Sequence, residues 1–122
     1  MANTDLFPAL FERLKAIMQA RAGHLRTQVD LPGKYYLMAP YLEKFHKEVG
    51  FGMVEVGKNY VSYHLMPVYM NPRLLEGMSD GLKKRMQGKA CFNFTKIDEA
   101  LLHELDDLTA RCVEWFKQEG NA

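Results

Sequence analysis

The sequence predicts an α+β domain: an antiparallel sheet with a helix from each end of the chain packed on one face. Three observations carry that expectation. Near the start, Leu6, Leu10, Leu14, Ile17 and Met18 recur at three- and four-residue steps, the period of a helix with one apolar stripe. Near the end, Ile97, Leu101, Leu105, Leu108, Cys112 and Phe116 do the same over about six helical turns. Between them, Phe51–Val56 and Asn59–Met66 are β-prone runs on either side of Gly57-Lys58, a two-residue connection that reads as a hairpin. Hairpin-linked strands are antiparallel, and two amphipathic helices can cover one face of such a sheet.

The elements follow in chain order. The first helix is expected over residues 5–22, capped by Asn3 or Thr4, with Pro8 tolerated in its first turns and Gly23 ending it. Arg13, Lys15, Arg21 and Arg26 read as its solvated face and tail. Asp30-Leu-Pro-Gly33 is turn chemistry, and Lys34–Met38 is a strand halted by Pro40. Residues 41–48 are amphipathic and fit either a short helix or an edge segment. In the second hairpin strand Val61, Tyr63 and Leu65 share one face, while Tyr60, Ser62, His64 and Met66 share the other. The first set carries fewer polar atoms and is expected to face the core. Pro67 limits that strand. Pro72–Gly77 suggests a short helical turn. Ser79 is placed to cap a helix from Asp80 to Gln87 that buries Leu82 and Met86 and ends at Gly88. Cys91–Phe94 reads as a brief strand, and Thr95 with Asp98 as a capping-box-like start to the last helix.

Bulk properties narrow the function classes. With 122 residues the chain is one domain, 1–122, long enough for a core without metal or disulfide staples. Its 48% apolar and 25% charged residues are globular rather than disordered proportions. A net charge of +1 gives no field directed at nucleic acid or an anionic membrane. No apolar run is long enough to span a bilayer, and no export signal opens the sequence, so a cytoplasmic protein is expected. Cys91 and Cys112 fit a reducing compartment, and the histidines at 24, 46, 64 and 103 have no zinc-site spacing.

The residues with chemistry to offer are few. His64 stands in a strand beside Tyr60 and Ser62, where a bound molecule could reach it. Lys83, Lys84, Arg85 and Lys89 form a basic cluster suited to a phosphate or carboxylate, with Arg73 able to help if the loops meet. Cys91 follows these cations, which would lower its pKa if they lay close. The candidate ligand-binding set is therefore Tyr60, Ser62, His64, Lys84, Arg85, Lys89 and Cys91. Each has a plain structural alternative: a hydrogen-bonded sheet histidine, a solvated helix face, a small buried thiol. Six tyrosines, most of them in the sheet region, suit either a shallow pocket or simple strand packing. Glu104 and Asp107 share a helix face while Asp106 points away, so no carboxylate metal site is expected there. No catalytic residue is assigned, because no phosphate loop, nucleophile elbow or metalloprotease helix occurs.

The run Phe51-Gly-x-Val54, Gly57-Lys-Asn-Tyr-Val-Ser-Tyr-His-Leu-Met-Pro67 and Lys83-Lys-Arg-Met-Gln-Gly-Lys-Ala-Cys-Phe-Asn-Phe94 resembles the YdhG-like family of domains of unknown function. The resemblance spans roughly residues 30–118 and is a continuous pattern, not a catalytic signature. It implies a frataxin-like two-layer sandwich of terminal helices on an antiparallel sheet. It also implies iron chaperoning, which frataxins perform with acidic residues on the first helix and the neighbouring sheet edge. Here that helix carries only Asp5 and Glu12 against Arg13, Lys15 and Arg21, and the acidic residues Asp98, Glu99, Glu104, Asp106 and Asp107 lie on the last helix.

The functional expectation is a non-enzymatic binding module for a small anionic ligand or a protein partner, without nucleic acid, membrane or cofactor. The alternative is an iron-binding or iron-delivery protein, as the resemblance implies. An enzyme using His64 or Cys91 comes third. Nothing in the sequence points to an oligomeric state.

Overall fold

A computed structural model describes residues 4–38 and 50–120; Asn3, Pro40, Tyr41 and the amphipathic stretch 41–48 lie outside the described residues. The chain adopts the expected α+β architecture. Helix α1 (Phe7–Ala22) is followed by strands β1 (Arg26–Leu31), β2 (Lys34–Met38), β3 (Gly50–Val56) and β4 (Val61–Leu65). Short helices α2 (Met66–Met70) and α3 (Asp80–Lys83), strands β5 (Met86–Gln87) and β6 (Cys91–Phe94), and helix α4 (Glu99–Gly120) complete it. All six strands pair antiparallel in one sheet, in the order β1-β2-β3-β4-β6-β5.

Alternation along the strands sorts the side chains onto two faces. Tyr35, Val54, Tyr63 and Phe92 stand opposite one another across four strands, flanked by the rows Leu37–Gly52–Leu65 and Val56–Val61–Phe94. Both long helices cover this side. From α1 come Phe7, Leu10, Phe11, Leu14, Met18 and Ala22, and from α4 Leu102, Leu105, Leu108, Cys112 and Phe116, all buried. Each large side chain so buried contributes about 1.5–3 kcal/mol. The predicted inward set Val61, Tyr63 and Leu65 is fully buried. Phe51 should face outward by parity, but the pairing slips between Leu37 and Met38. This bulge leaves Phe51 without a partner and turns it inward, its ring 5.7 Å from that of Phe116.

Several elements differ from the sequence expectation, each for a physical reason. A single 3-10 turn, Thr4–Leu6, leads into α1, so Thr4 is not its cap. Arg26 lies in β1, not in a helical tail. That edge strand buries only part of Val29, so it has no apolar alternation to betray it. Arg13, Lys15 and Arg21 are not merely solvated: Arg13 pairs with Glu99, Lys15 with Asp30 at 2.7 Å, and Arg21 with Asp106 at 2.9 Å. The order of the Arg13 and Arg21 pairs shows that α1 and α4 run side by side in the same direction.

Pro67 does more than stop β4, because with its fixed φ it opens α2. Helix α3 ends at Lys83, well short of Gln87, and Met86–Gln87 forms an edge strand. Gly88, with φ 79°, is the turn between β5 and β6 and not a helix cap. Ser79 does cap α3, accepting from the Leu82 amide at 3.2 Å. The cap of α4 is Asp98, which accepts from the Leu101 amide at 3.3 Å, rather than Thr95. Pro32 and Gly33, the latter at φ 82°, make the β1–β2 turn, whereas Asp30 and Leu31, expected in that turn, are paired residues of β1.

Candidate functional site

The sheet face away from the long helices carries three of the candidates, Ser62, His64 and Cys91. Register places Tyr36, Met53, His64 and Cys91 in one row across β2, β3, β4 and β6. Lys34, Glu55, Ser62 and Asn93 form the adjacent row. Apart from exposed Lys34, these side chains are half-buried. Tyr36 donates its hydroxyl to Glu55 at 2.5 Å, and Lys34 Nζ stands 3.7 Å from the same carboxylate. Ser62 donates to Asn93 Oδ1 at 2.8 Å, and the Cys91 thiol lies 3.8 Å from that oxygen.

The structure brings His64 and Cys91 together, a neighbourhood that the sequence separates by 26 positions of intervening chain. The Leu65 amide bonds the Ala90 carbonyl at 3.0 Å. By ladder alternation, His64 and Cys91 are then a non-hydrogen-bonded pair, the closer class, with Cα atoms typically about 4.5 Å apart. Burial lowers the His64 pKa and raises that of the Cys91 thiol, with a smaller opposing effect from the Ser62 hydrogen bond. The pair is thus a neutral imidazole beside a thiol, not a thiolate–imidazolium couple. A small cavity of about 140 Å³ opens beside His64, lined also by Tyr36, Met38, Gly50, Met53 and Met66.

The basic cluster is divided. Lys84 and Arg85 lie between α3 and β5, where the Arg85 carbonyl accepts from the Asn93 amide at 2.7 Å. Lys89 sits past the Gly88 turn, at the other end of the β5–β6 hairpin. Lys84 and Arg85 instead meet Lys96 around a cavity of about 420 Å³, floored by Phe94 and Leu101 and bordered by Asp98. Lys96 escaped the sequence reading. The signal available for it was its position two residues before the residue that caps α4. Arg73 is exposed, faces Glu76 at 3.4 Å and is not among the cavity residues. Tyr60 lies outside β4, partly exposed beside the hairpin tip, and its carbonyl accepts from the Gly57 amide at 2.8 Å. The connecting residues are therefore Lys58-Asn59, one position later than expected.

The acidic residues of the last helix are engaged with the protein itself. Asp98 caps α4, and Glu99 takes both terminal nitrogens of Arg13, one at 2.8 Å. Glu104 accepts from the Ser79 amide at 2.7 Å and its hydroxyl at 2.6 Å. Asp106 accepts two bonds from Arg21. Among the described residues no three His, Cys, Asp or Glu side chains gather around a common point, and no helix is long and apolar enough to cross a membrane. No protein-family model matches the chain, and comparison with curated proteins and with solved structures finds no match.

Proposed function

We propose that the protein is a non-enzymatic binding module that holds a small anionic ligand between α3, the end of β6 and the first turn of α4. One observation carries this reading. Lys84, Arg85 and Lys96 surround a single cavity, and none of the three has an ion-pair partner among the described residues. The cavity also lies at the amino end of a 22-residue helix, where amide groups without helical partners and the helix dipole favour negative charge. Lysine supplies point charges and arginine a planar fork, so a phosphate or carboxylate group suits the set. The Asp98 carboxylate, spent on capping, leaves the three cations in excess.

The iron reading has less support, because Glu99, Glu104 and Asp106 of the acidic set are tied to Arg13, Ser79 and Arg21. Kinship with YdhG-like, frataxin-like domains belongs to the proposal and rests on the residues quoted for it. A cytoplasmic setting belongs to it too, supported by two unbridged thiols.

Thermal shift and calorimetry with phosphate, pyrophosphate and citrate test the binding site. An anion at a hundred times its Kd should stabilise the fold by about 2.7 kcal/mol. Replacing Lys84 and Lys96 with glutamine should weaken binding by about tenfold or more for each charge-assisted bond lost. No stabilisation by any anion, or equal stabilisation of the double variant, would reject the proposal.

A further inference from the structure

The opposite sheet face offers different chemistry. Met38, Met53 and Met66 line the same small cavity as His64. Met53 stands directly across from His64 on one side, and Cys91 directly across on the other. Met66 follows His64 by two positions, where Pro67 turns the chain into α2. Three thioethers thus line one cavity with the imidazole, and the Cys91 thiol stands on the other side of His64 from Met53, outside that lining. Fully buried Met18 is core filler on the helix side. Met38, Met53 and Met66 lie on the other side and keep partial exposure.

The polar environment selects among ions. Glu55 on this face is held by Tyr36 and Lys34, and among the described residues no carboxylate lines the cavity. Hard cations seek oxygen ligands, and the side-chain oxygen in the described lining, the Tyr36 hydroxyl, is engaged with Glu55. Soft thioether and thiolate sulfur, with imidazole nitrogen, suits a low-coordinate monovalent ion. The His64 ring has no hydrogen bond among the described residues, so a nitrogen lone pair is available. The Cys91 thiol gives up only a long contact to Asn93, 3.8 Å.

We propose that Met53, His64 and Cys91, with Met66 beside them, form a binding site for a soft monovalent metal ion of the Cu(I) class. The imidazole binds as the neutral ring. The thiol binds as thiolate and releases one proton to solvent, so affinity rises with pH. The ion keeps its oxidation state, and no electron is transferred.

Anaerobic titration with Cu(I) against a chromophoric chelator tests the site, with Ag(I) as a redox-inert second probe. One ion should bind per chain, with proton release. H64Q, C91S and the double variant M53L/M66L should each lose about tenfold or more in affinity, while C112S, at a buried thiol outside the site, should bind as before. Circular dichroism confirms that each variant is folded, and a metal-edge absorption spectrum should show sulfur and nitrogen neighbours. Loss in C91S alone, with H64Q and M53L/M66L unchanged, would reduce the site to a lone thiol and overturn the proposal. Absence of one-to-one binding would overturn it equally. Lys84 and Lys96 variants should retain the metal, so failure of this site and failure of the anion site are distinguishable.

Discussion

The hydroxyls of Tyr63 and Thr109 meet at 2.7 Å in the buried centre of the molecule, where β4 faces α4. Thr109 spends its own hydrogen on the Leu105 carbonyl at 2.8 Å, so Tyr63 is the donor between them. Among the described residues Thr109 is the buried polar residue of the core, and this arrangement satisfies it. Burial drives the Tyr63 pKa upward, which favours the protonated phenol that this bond needs.

Removing the two hydroxyls should have unequal costs. Tyr63→Phe loses one bond but leaves Thr109 bonded to Leu105, a loss of about 1 kcal/mol. Thr109→Val strands the Tyr63 hydroxyl without its acceptor and should cost about 1–3 kcal/mol. The double variant should lose less than the sum, because it strands nothing. Urea denaturation of the three variants measures this, and strict additivity would contradict it.

Gly52→Ala should destabilise by about 1–3 kcal/mol through overpacking. A Cβ there would lie 2.7 Å from the His64 carbonyl oxygen and 2.7 Å from the Met18 methyl. The methionine can yield, but the carbonyl belongs to the β3–β4 ladder and cannot. Met18→Ala should therefore fail to rescue Gly52→Ala; recovery of wild-type stability in that pair would refute the argument.

The Arg21–Asp106 pair should appear in the acid limb of the stability profile. Hydrogen bonding to Arg21 lowers the Asp106 pKa from 3.8. A depressed carboxylate contributes stability that is present above its unfolded value and lost as pH falls through the folded one. Exposure and screening by solvent keep the pair's contribution small. Arg21→Gln should thus cost a little at pH 7 and nothing once both states are protonated. Denaturation midpoints across that range provide the check.

His64 should produce a second pH dependence nearer neutrality. Burial holds its pKa below 6.5, so the unfolded chain takes up the proton first. The stability due to the neutral ring is complete above that unfolded value and is lost as pH falls through the lower folded value. Between about pH 7 and pH 5 the wild type should lose more stability than His64→Gln. Parallel profiles for the two proteins would contradict this account.

How much of this was legible depended on how each residue earns its place. Leu10, Leu14, Leu105 and Cys112 repeat with the helical period because a buried stripe demands it. Val61, Tyr63 and Leu65 alternate because one sheet face is covered. Strand β1 was invisible since its edge position buries almost nothing, and β5 since two residues hold no period. Phe51 broke parity through a bulge that only the pairing reveals. The candidate site fared similarly. Ser62, His64 and Cys91 share a face because strand alternation is local, but the His64–Cys91 juxtaposition depends on which strand lies beside β4. Lys89 fell away from Lys84 and Arg85 once a helix of one turn gave place to a hairpin. Lys96 entered through a tertiary meeting of three elements, which no spacing in the sequence encodes.

The parallel pairing of α1 with α4 sets the order in which the chain can bury itself. The sheet is built largely from adjacent hairpins, whose loops close over short distances. The Arg13–Glu99 and Arg21–Asp106 contacts close separations of 86 and 85 residues, an entropic cost of about 4 kcal/mol for a flexible chain. During synthesis the apolar surface of Tyr35, Val54, Tyr63 and Phe92 therefore waits, half covered by α1, until residues 99–118 have left the ribosome. A chain ending at Ile97 should bind a hydrophobic dye that the intact protein excludes, and dye exclusion by that truncated chain would show that α4 is dispensable as cover. On this topology helix α4, made after the whole sheet, decides whether a nascent sheet becomes a protein or a sticky surface for chaperones.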